Sequence, residues 1–161
     1  MQKPPPVADL RAELAAFAGD VAQAVAAAEP DWHWRAGGEE WSLTEVMCHL
    51  RDVEREVHQP RFRALLREDN AFLPGAVSDE WVEERRYRNQ DGRRALAQFL
   101  AARRETVKML EEVEGTLWQR QGQHAFFGPT TMHELLNLAV QHDRAHWEQI
   151  NNLLQSHEAR G

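Results

Sequence analysis

The chain is poorest in cysteine: Cys48 stands alone in 161 residues, so no disulfide can close within it, in keeping with a reducing compartment. It also lacks any run of roughly 18 uninterrupted apolar residues, the length a membrane-spanning helix needs. The opening stretch MQKPPPVADL has no apolar core of the kind a secretion signal carries. A cytoplasmic protein with no membrane partner is the expectation. Basic residues are in deficit, with 19 Lys and Arg against 26 Asp and Glu, for a formal charge of -7. That sign opposes contact with phosphate backbones, and with no Lys/Arg cluster to offset it, nucleic acid is not an expected partner. Internal repeats and strand-like alternation are missing as well, and low complexity is confined to Pro4, Pro5 and Pro6. What remains is 42% hydrophobic and 28% charged, an ordinary balance for a single globular domain. That domain is expected to span residues 1–161, with 1–6 and 156–161 as flexible tails.

Four helical patterns fill the chain. Leu10, Leu14, Phe17, Val21, Ala24 and Ala28 recur at steps of three and four until Pro30 ends the first. Ser42 followed by Glu45 is a capping-box pair opening the second, whose apolar stripe is Leu43, Val46, Met47, Leu50, Val53 and Val57. Pro60 lacks an N–H and clashes with the turn before it, so it is expected to kink or restart this helix and leave 61–68 as a separate turn or two. From Asp69 to Gln90 no periodicity survives, and a connection this long is expected to cross the domain. Asp91 reads as the N-cap of the third helix, with Leu96, Phe99, Leu100, Val107, Leu110 and Val113 on its stripe and an end near Gly115. Thr131 and Glu134 form a second capping box, opening a fourth helix that reaches about Leu154. The pattern predicts an all-α four-helix bundle. The long crossover between the second and third helices lets those two run parallel.

Polar groups intrude on two of the apolar stripes. On the fourth helix, His142, Asp143 and His146 fall within the stripe of Met132, Leu135, Ala139, Ile150 and Leu153. Buried imidazoles are costly unless paired or bound to a metal, and an i, i+4 histidine pair puts two rings on one face within reach of one ion. His49, at the edge of the second helix's stripe, is the candidate third ligand. Spacing alone leaves open the plainer reading of hydrogen-bonded packing residues. Asp52 and Asp143 are candidate acceptors for the other N–H groups of these rings. Glu54 faces the middle of its stripe, either as an ion-pair partner of an arginine such as Arg103 or as a proton-handling group. His58, four residues on, reads as a partner of Glu54 rather than as a ligand. Cys48 falls on the outer side of the second helix with Arg51 and Arg55, with no base beside it, so a surface or interface residue is expected there. Trp41, Trp81, Trp118 and Trp147 read as core and loop anchors, Trp147 also as a possible wall beside His146.

These residues carry a family resemblance. WSLTEVMCHLRDVE, residues 41–54, and FGPTTMHELLNLAVQHDRAHWEQI, residues 127–150, resemble the second-helix and fourth-helix signatures of the DinB/YfiT-like superfamily. The intervening LREDNAFLPGAVSDEWVEERRYRNQD is similar to its long loop, so the resemblance runs from about residue 10 to 155. It implies a four-helix bundle in up-down-down-up order. It also implies a three-histidine metal site at His49, His142 and His146 for a divalent ion, zinc or nickel first, then iron, manganese or copper. The activity implied is transfer of a low-molecular-weight thiol of the bacillithiol or mycothiol type to an electrophile, in detoxification or stress response, by a protein expected to be a homodimer. A metal-dependent hydrolase using activated water and a non-catalytic, metal-stabilised bundle are the alternatives.

Overall fold

The computed structural model describes residues 3–160. Helix α1, Val7–Ala28, buries Leu10, Leu14, Phe17, Ala18, Val21 and Val25, and ends where Glu29 turns left-handed and its N–H reaches the Val25 carbonyl. Helix α2, Leu43–Val53, begins with the expected capping box. The Glu45 N–H donates to Ser42 Oγ at 3.3 Å and the Ser42 N–H to Glu45 Oε1 at 2.9 Å.

Pro60 does not break the rod. A π-helical turn, Glu54–His58, joins α2 to α3, Gln59–Arg67, with Pro60 in the first turn of α3. The Gln59 N–H bonds to the Glu54 carbonyl five residues back. This wider turn accommodates a proline that can neither donate to nor pack on the preceding turn. It also inserts an extra residue, which rotates the stripe by about 100°. Glu54, Val57 and His58 consequently all point inward.

The crossover is more ordered than its sequence suggests: the short helix α4, Trp81–Glu84, lies between 3-10 turns at Ser78–Glu80 and Tyr87–Asn89. Asp91 caps α5, Gly92–Glu111, by accepting the Arg94 N–H at 3.1 Å. The expectation of no strands is corrected. A small sheet pairs β1, Phe72–Leu73, in parallel with β2, Gln121–His124, which pairs antiparallel with β3, Gly128–Thr131. Strands of two to four residues are too short to show an alternation. Gly122 is required in this sheet, because a Cβ there would lie 2.7 Å from the Ala71 carbonyl oxygen. Thr131 and Glu134 then cap α6, Met132–Arg160, through reciprocal bonds of 3.0 Å. The expected tail from residue 156 is therefore helical as far as Arg160. At the other end the Pro5 carbonyl accepts from His133 Nε2 at 2.6 Å. Met1, Gln2 and Gly161 lie outside the described residues.

Side-chain pairings fix the order of the bundle. Gly92 lies against Thr44, Gln98 against Arg51, Arg103 against Glu54 and Thr106 against Gln59, so the α2–α3 rod and α5 run parallel. Phe17 meets Phe99 while Leu14 meets Arg103, making α1 and α5 antiparallel. Pro5 with His133, Glu13 with Arg144 and Phe17 with Trp147 make α1 and α6 parallel. The result is up-down-down-up.

The core has two apolar halves. One contains Phe17, Val21, Met47, Leu50, Phe99 and Ile150, the other Leu10, Leu14, Phe62, Leu110, Leu136 and Val140. Between them, on each of the three helices facing one another, the chain places polar side chains: His49 and Glu54, Arg103, and His142, Asp143 and His146. No helix among the described residues is long and apolar enough to cross a membrane.

Candidate metal centre

In this polar layer the three histidine rings meet edge to edge. His49 Nε2 lies 3.2 Å from His142 Nε2, and His146 Nε2 lies 3.1 Å from the same atom. One nitrogen from each ring falls within 4.8 Å of the other two. Metal–nitrogen bonds of 2.0–2.1 Å separate neighbouring ligand nitrogens by about 2.9 Å at right angles and about 3.4 Å in a tetrahedron. The two close separations lie between those limits.

The protonation states agree with this geometry. Burial pushes the His49 imidazole down to about 3, and lowers His142 and His146 from their ordinary values as well. For His49 and His142 the neighbouring rings add to the effect. All three are therefore neutral near pH 7 and each keeps a lone pair. His146 Nδ1 donates to Gln149 Oε1 at 2.8 Å, which fixes its proton on Nδ1 and turns the lone pair of Nε2 toward the other rings. Trp41 closes one side, stacked on His146 at 6.3 Å and 12° and tilted against His49 at 5.0 Å. A cluster of converging lone pairs is repulsive by itself, and a cation reverses the sign.

Residues 24–150 match the DinB superfamily. The chain belongs to that family. It is also similar to YfiT from Bacillus subtilis, described as "a probable metal-dependent hydrolase with an unusual four-helix bundle topology". The two share 19% identity and a TM-score of 0.81 over 96% of this chain and 93% of that one, a likeness of fold. No curated protein matches the chain.

The carboxylates do not take the places expected of them. Both Glu54 oxygens accept from Arg103, at 3.0 and 2.9 Å, and both Asp143 oxygens accept from it at 2.7 and 2.8 Å. The Leu14 carbonyl takes the remaining N–H at 3.1 Å, so all five guanidinium donors are used. The ring faces of Phe17 and Phe99 lie 5.5 and 5.1 Å from this cation. Burial drives both carboxyls upward, but they resolve differently. At Glu54 the Arg103 charge prevails and holds the group below its ordinary value. At Asp143 burial prevails and raises it to about 6.

Glu54 is thus the ion-pair partner of Arg103. Asp143 supports no imidazole, because neighbouring residues on a helix point about 100° apart. Asp52 is likewise committed elsewhere. It accepts from Arg51 Nε at 2.8 Å, Arg85 Nη1 at 2.9 Å and the Tyr87 hydroxyl at 2.6 Å. His49 Nδ1 and His142 Nδ1 are buried without a hydrogen-bond partner.

The expectation for Cys48 is corrected, and those for His58 and Trp147 hold in part. His58 feels the Glu54 charge, but its Nε2 bonds to nothing and its ring stands edge-on to His142 at 5.3 Å. Cys48 is fully buried rather than on the surface, because the crossover folds over that side of α2. Its Sγ points to Gln90 Oε1 at 3.7 Å, and burial pushes the thiol up to about 11. Trp147 packs edge-on against Phe17 at 6.4 Å, and the wall of the triad is Trp41. Gln149 was not singled out in the sequence, although its position three residues after His146 was a usable signal.

Proposed function

We propose that the chain is a metal-dependent S-transferase in which His49, His142 and His146 hold a divalent ion. The nucleophile is a low-molecular-weight thiol of the bacillithiol or mycothiol type, and the acceptor is an electrophilic small molecule in detoxification or stress response. The observation that carries the reading is the convergence of three neutral imidazoles, with His142 Nε2 within 3.2 Å of the other two Nε2 atoms. A divalent ion on three imidazoles supplies a Lewis-acid centre that acidifies a thiol or water in an open position.

The surrounding residues favour a thiol. Glu54 and Asp143 are spent on Arg103, and Asp52 on Arg51, Arg85 and Tyr87, so none of these three carboxylates is available as a base. A nucleophile that loses its proton to solvent with little help suits such a site. Bound to a metal, water itself reaches about 7, and a thiol, which starts at about 8.5 when free, needs the smaller shift to lose its proton unaided. The S–H proton leaves to solvent, a carbon–sulfur bond forms, and the bond to the leaving group breaks with its electron pair on that group. Trp41 shields the rings from bulk water on its side.

A second reading, hydrolysis by activated water, is favoured by the description of YfiT, whose fold this chain shares. The deciding experiment loads the protein separately with zinc and nickel, measures metal content, and assays conjugation of biological thiols to a model electrophile beside thiol-free ester and amide hydrolysis. Thiol-dependent conjugation that disappears with the metal in His142→Ala supports the transferase. Hydrolysis without thiol decides for activated water. If neither activity responds while chelation lowers thermal stability, the ion is structural.

A further inference from the structure

Beside the triad lies a cavity of about 230 Å³ to which His142 contributes a wall, together with His58, Arg61 and His124. Its polar lining is unusual for a protein of net charge -7. No carboxylate lines it. Arg61 spends Nε and Nη2 on the Pro74 carbonyl, at 3.1 and 2.8 Å, which leaves its Nη1 side uncommitted. Among the described residues Arg61 pairs with no carboxylate, and burial alone lowers its pKa.

His124 is 4% exposed, and its Nδ1 accepts the N–H groups of Phe126 and Phe127 at 3.1 and 3.3 Å. The ring proton of the neutral imidazole therefore sits on Nε2, a buried donor with no partner. His58 Nε2 is also buried and unpartnered. All three groups line the one cavity, and the Arg61 charge lowers both imidazoles. A buried donor without an acceptor is costly in a folded chain, and here His124 Nε2 meets a cavity that His58, with its own unpartnered ring nitrogen, also lines. At its edge Phe126 and Phe127 are 63% and 58% exposed, an apolar lip on the hairpin between β2 and β3.

We propose that this cavity receives a carboxylate of the substrate, held by Arg61 and His124 with His58 beside them, while an apolar portion rests on Phe126 and Phe127. A carboxylate fits better than a phosphate, because its two oxygens match one free guanidinium edge and one imidazole N–H, whereas further phosphate oxygens would be left unpaired. This inference rests on the metal-dependent reading only for the direction in which the substrate's reacting end points, toward His142. Binding of the carboxylate itself stands or falls separately.

The test is a chemical-shift titration of the zinc-loaded and the chelator-treated protein with 4-phenylbutyrate, its neutral amide 4-phenylbutyramide, and inorganic phosphate. The acid is expected to bind at least tenfold more tightly than the amide and than phosphate. Arg61→Gln should weaken it at least tenfold, and Arg61→Lys, which keeps the charge without the guanidinium edge, should recover only part of the loss. His124→Asn keeps an acceptor for the Phe126 and Phe127 N–H groups but removes the Nε2 donor, and it should also weaken binding tenfold. Thermal melts of each variant separate lost binding from lost folding. Equal affinity for acid and amide, tighter binding of phosphate, or unchanged affinity in folded Arg61→Gln and His124→Asn would overturn the proposal. Binding that persists in the chelator-treated protein upholds the subsite even where the transferase reading fails. Absence of binding to protein with its full zinc complement rejects the subsite and leaves the metal centre standing.

Discussion

Replacing Arg103 with Met is expected to destabilise the protein severely at neutral pH and far less in mild acid. The substitution removes all five guanidinium hydrogen bonds and leaves Glu54 and Asp143, 1% and 2% exposed, without a cation. Each carboxylate can escape the cost of a buried charge by taking a proton, and that route sets the size of the effect. Glu54 sits below its ordinary 4.5 in the native protein, so neutralising it at pH 7 costs at least about 3 kcal/mol, at 1.36 kcal/mol per pKa unit. Asp143, already raised to about 6, adds about 1 kcal/mol on the same scale. The total of about 4–5 kcal/mol agrees with the roughly 3–5 kcal/mol lost when one partner of a buried ion pair is removed. At pH 5 Asp143 is mostly protonated in either protein, and the Glu54 cost is smaller than at pH 7 by about 2.7 kcal/mol, two pH units at 1.36 kcal/mol each. Urea unfolding followed by tryptophan fluorescence reads this directly, with a midpoint expected to fall by roughly 2 M at pH 7. The gap from wild type should narrow steeply by pH 5. A midpoint within about 0.3 M of wild type at pH 7, or a loss that does not depend on pH, would refute the account of the buried cluster.

Wild-type stability should decline as pH falls below the ordinary carboxylate range, because Glu45, Asp52 and Glu54 are all held below their usual values and must take up protons on unfolding. Urea midpoints between pH 3 and 7 check the sign, and a rise toward pH 3 would contradict it. Cys48 should resist a thiol reagent at pH 8 in the native state and react within seconds in concentrated urea, since it is fully buried with its thiol at about 11. Rapid native labelling would show that the crossover does not cover it. Ser42→Ala should cost about 1 kcal/mol through loss of the α2 cap, measured by the same urea assay, and a neutral result would remove the capping box from the account. Nickel or copper added to the protein should quench part of the tryptophan fluorescence through Trp41, whose ring lies 5.0–6.3 Å from His49 and His146. Trp41→Phe should remove that part, and equal quenching in the variant would place the ion elsewhere.

The main frame was legible in the order of residues because its signals are local. Capping boxes at Ser42 and Thr131, the Asp91 cap and stripes at steps of three and four all act within one helix. His142 and His146 share a face for the same reason, and their presence in an apolar stripe exposed the conflict that a shared ion would resolve. The Arg103 partner of Glu54 was also within reach, since an inward carboxylate requires a cation.

What the sequence could not settle were the relations between distant segments. Whether Asp143 supports His142 or turns to Arg103 depends on where α5 lies, and α5 is brought alongside only by packing. Cys48 looks exposed on its own helix and is buried because Tyr87 and Gln90, some forty residues later, fold over it. The π turn follows from Pro60, yet its effect, turning His58 toward His142, depends on the rod continuing past the proline. The cavity that gathers His58, Arg61 and His124 joins the end of that rod to a hairpin with no alternation to reveal it. Periodicity and capping determined which faces turn inward. Tertiary packing decided which inward groups meet, because the free energy of a buried polar group depends on partners that only the assembled bundle supplies.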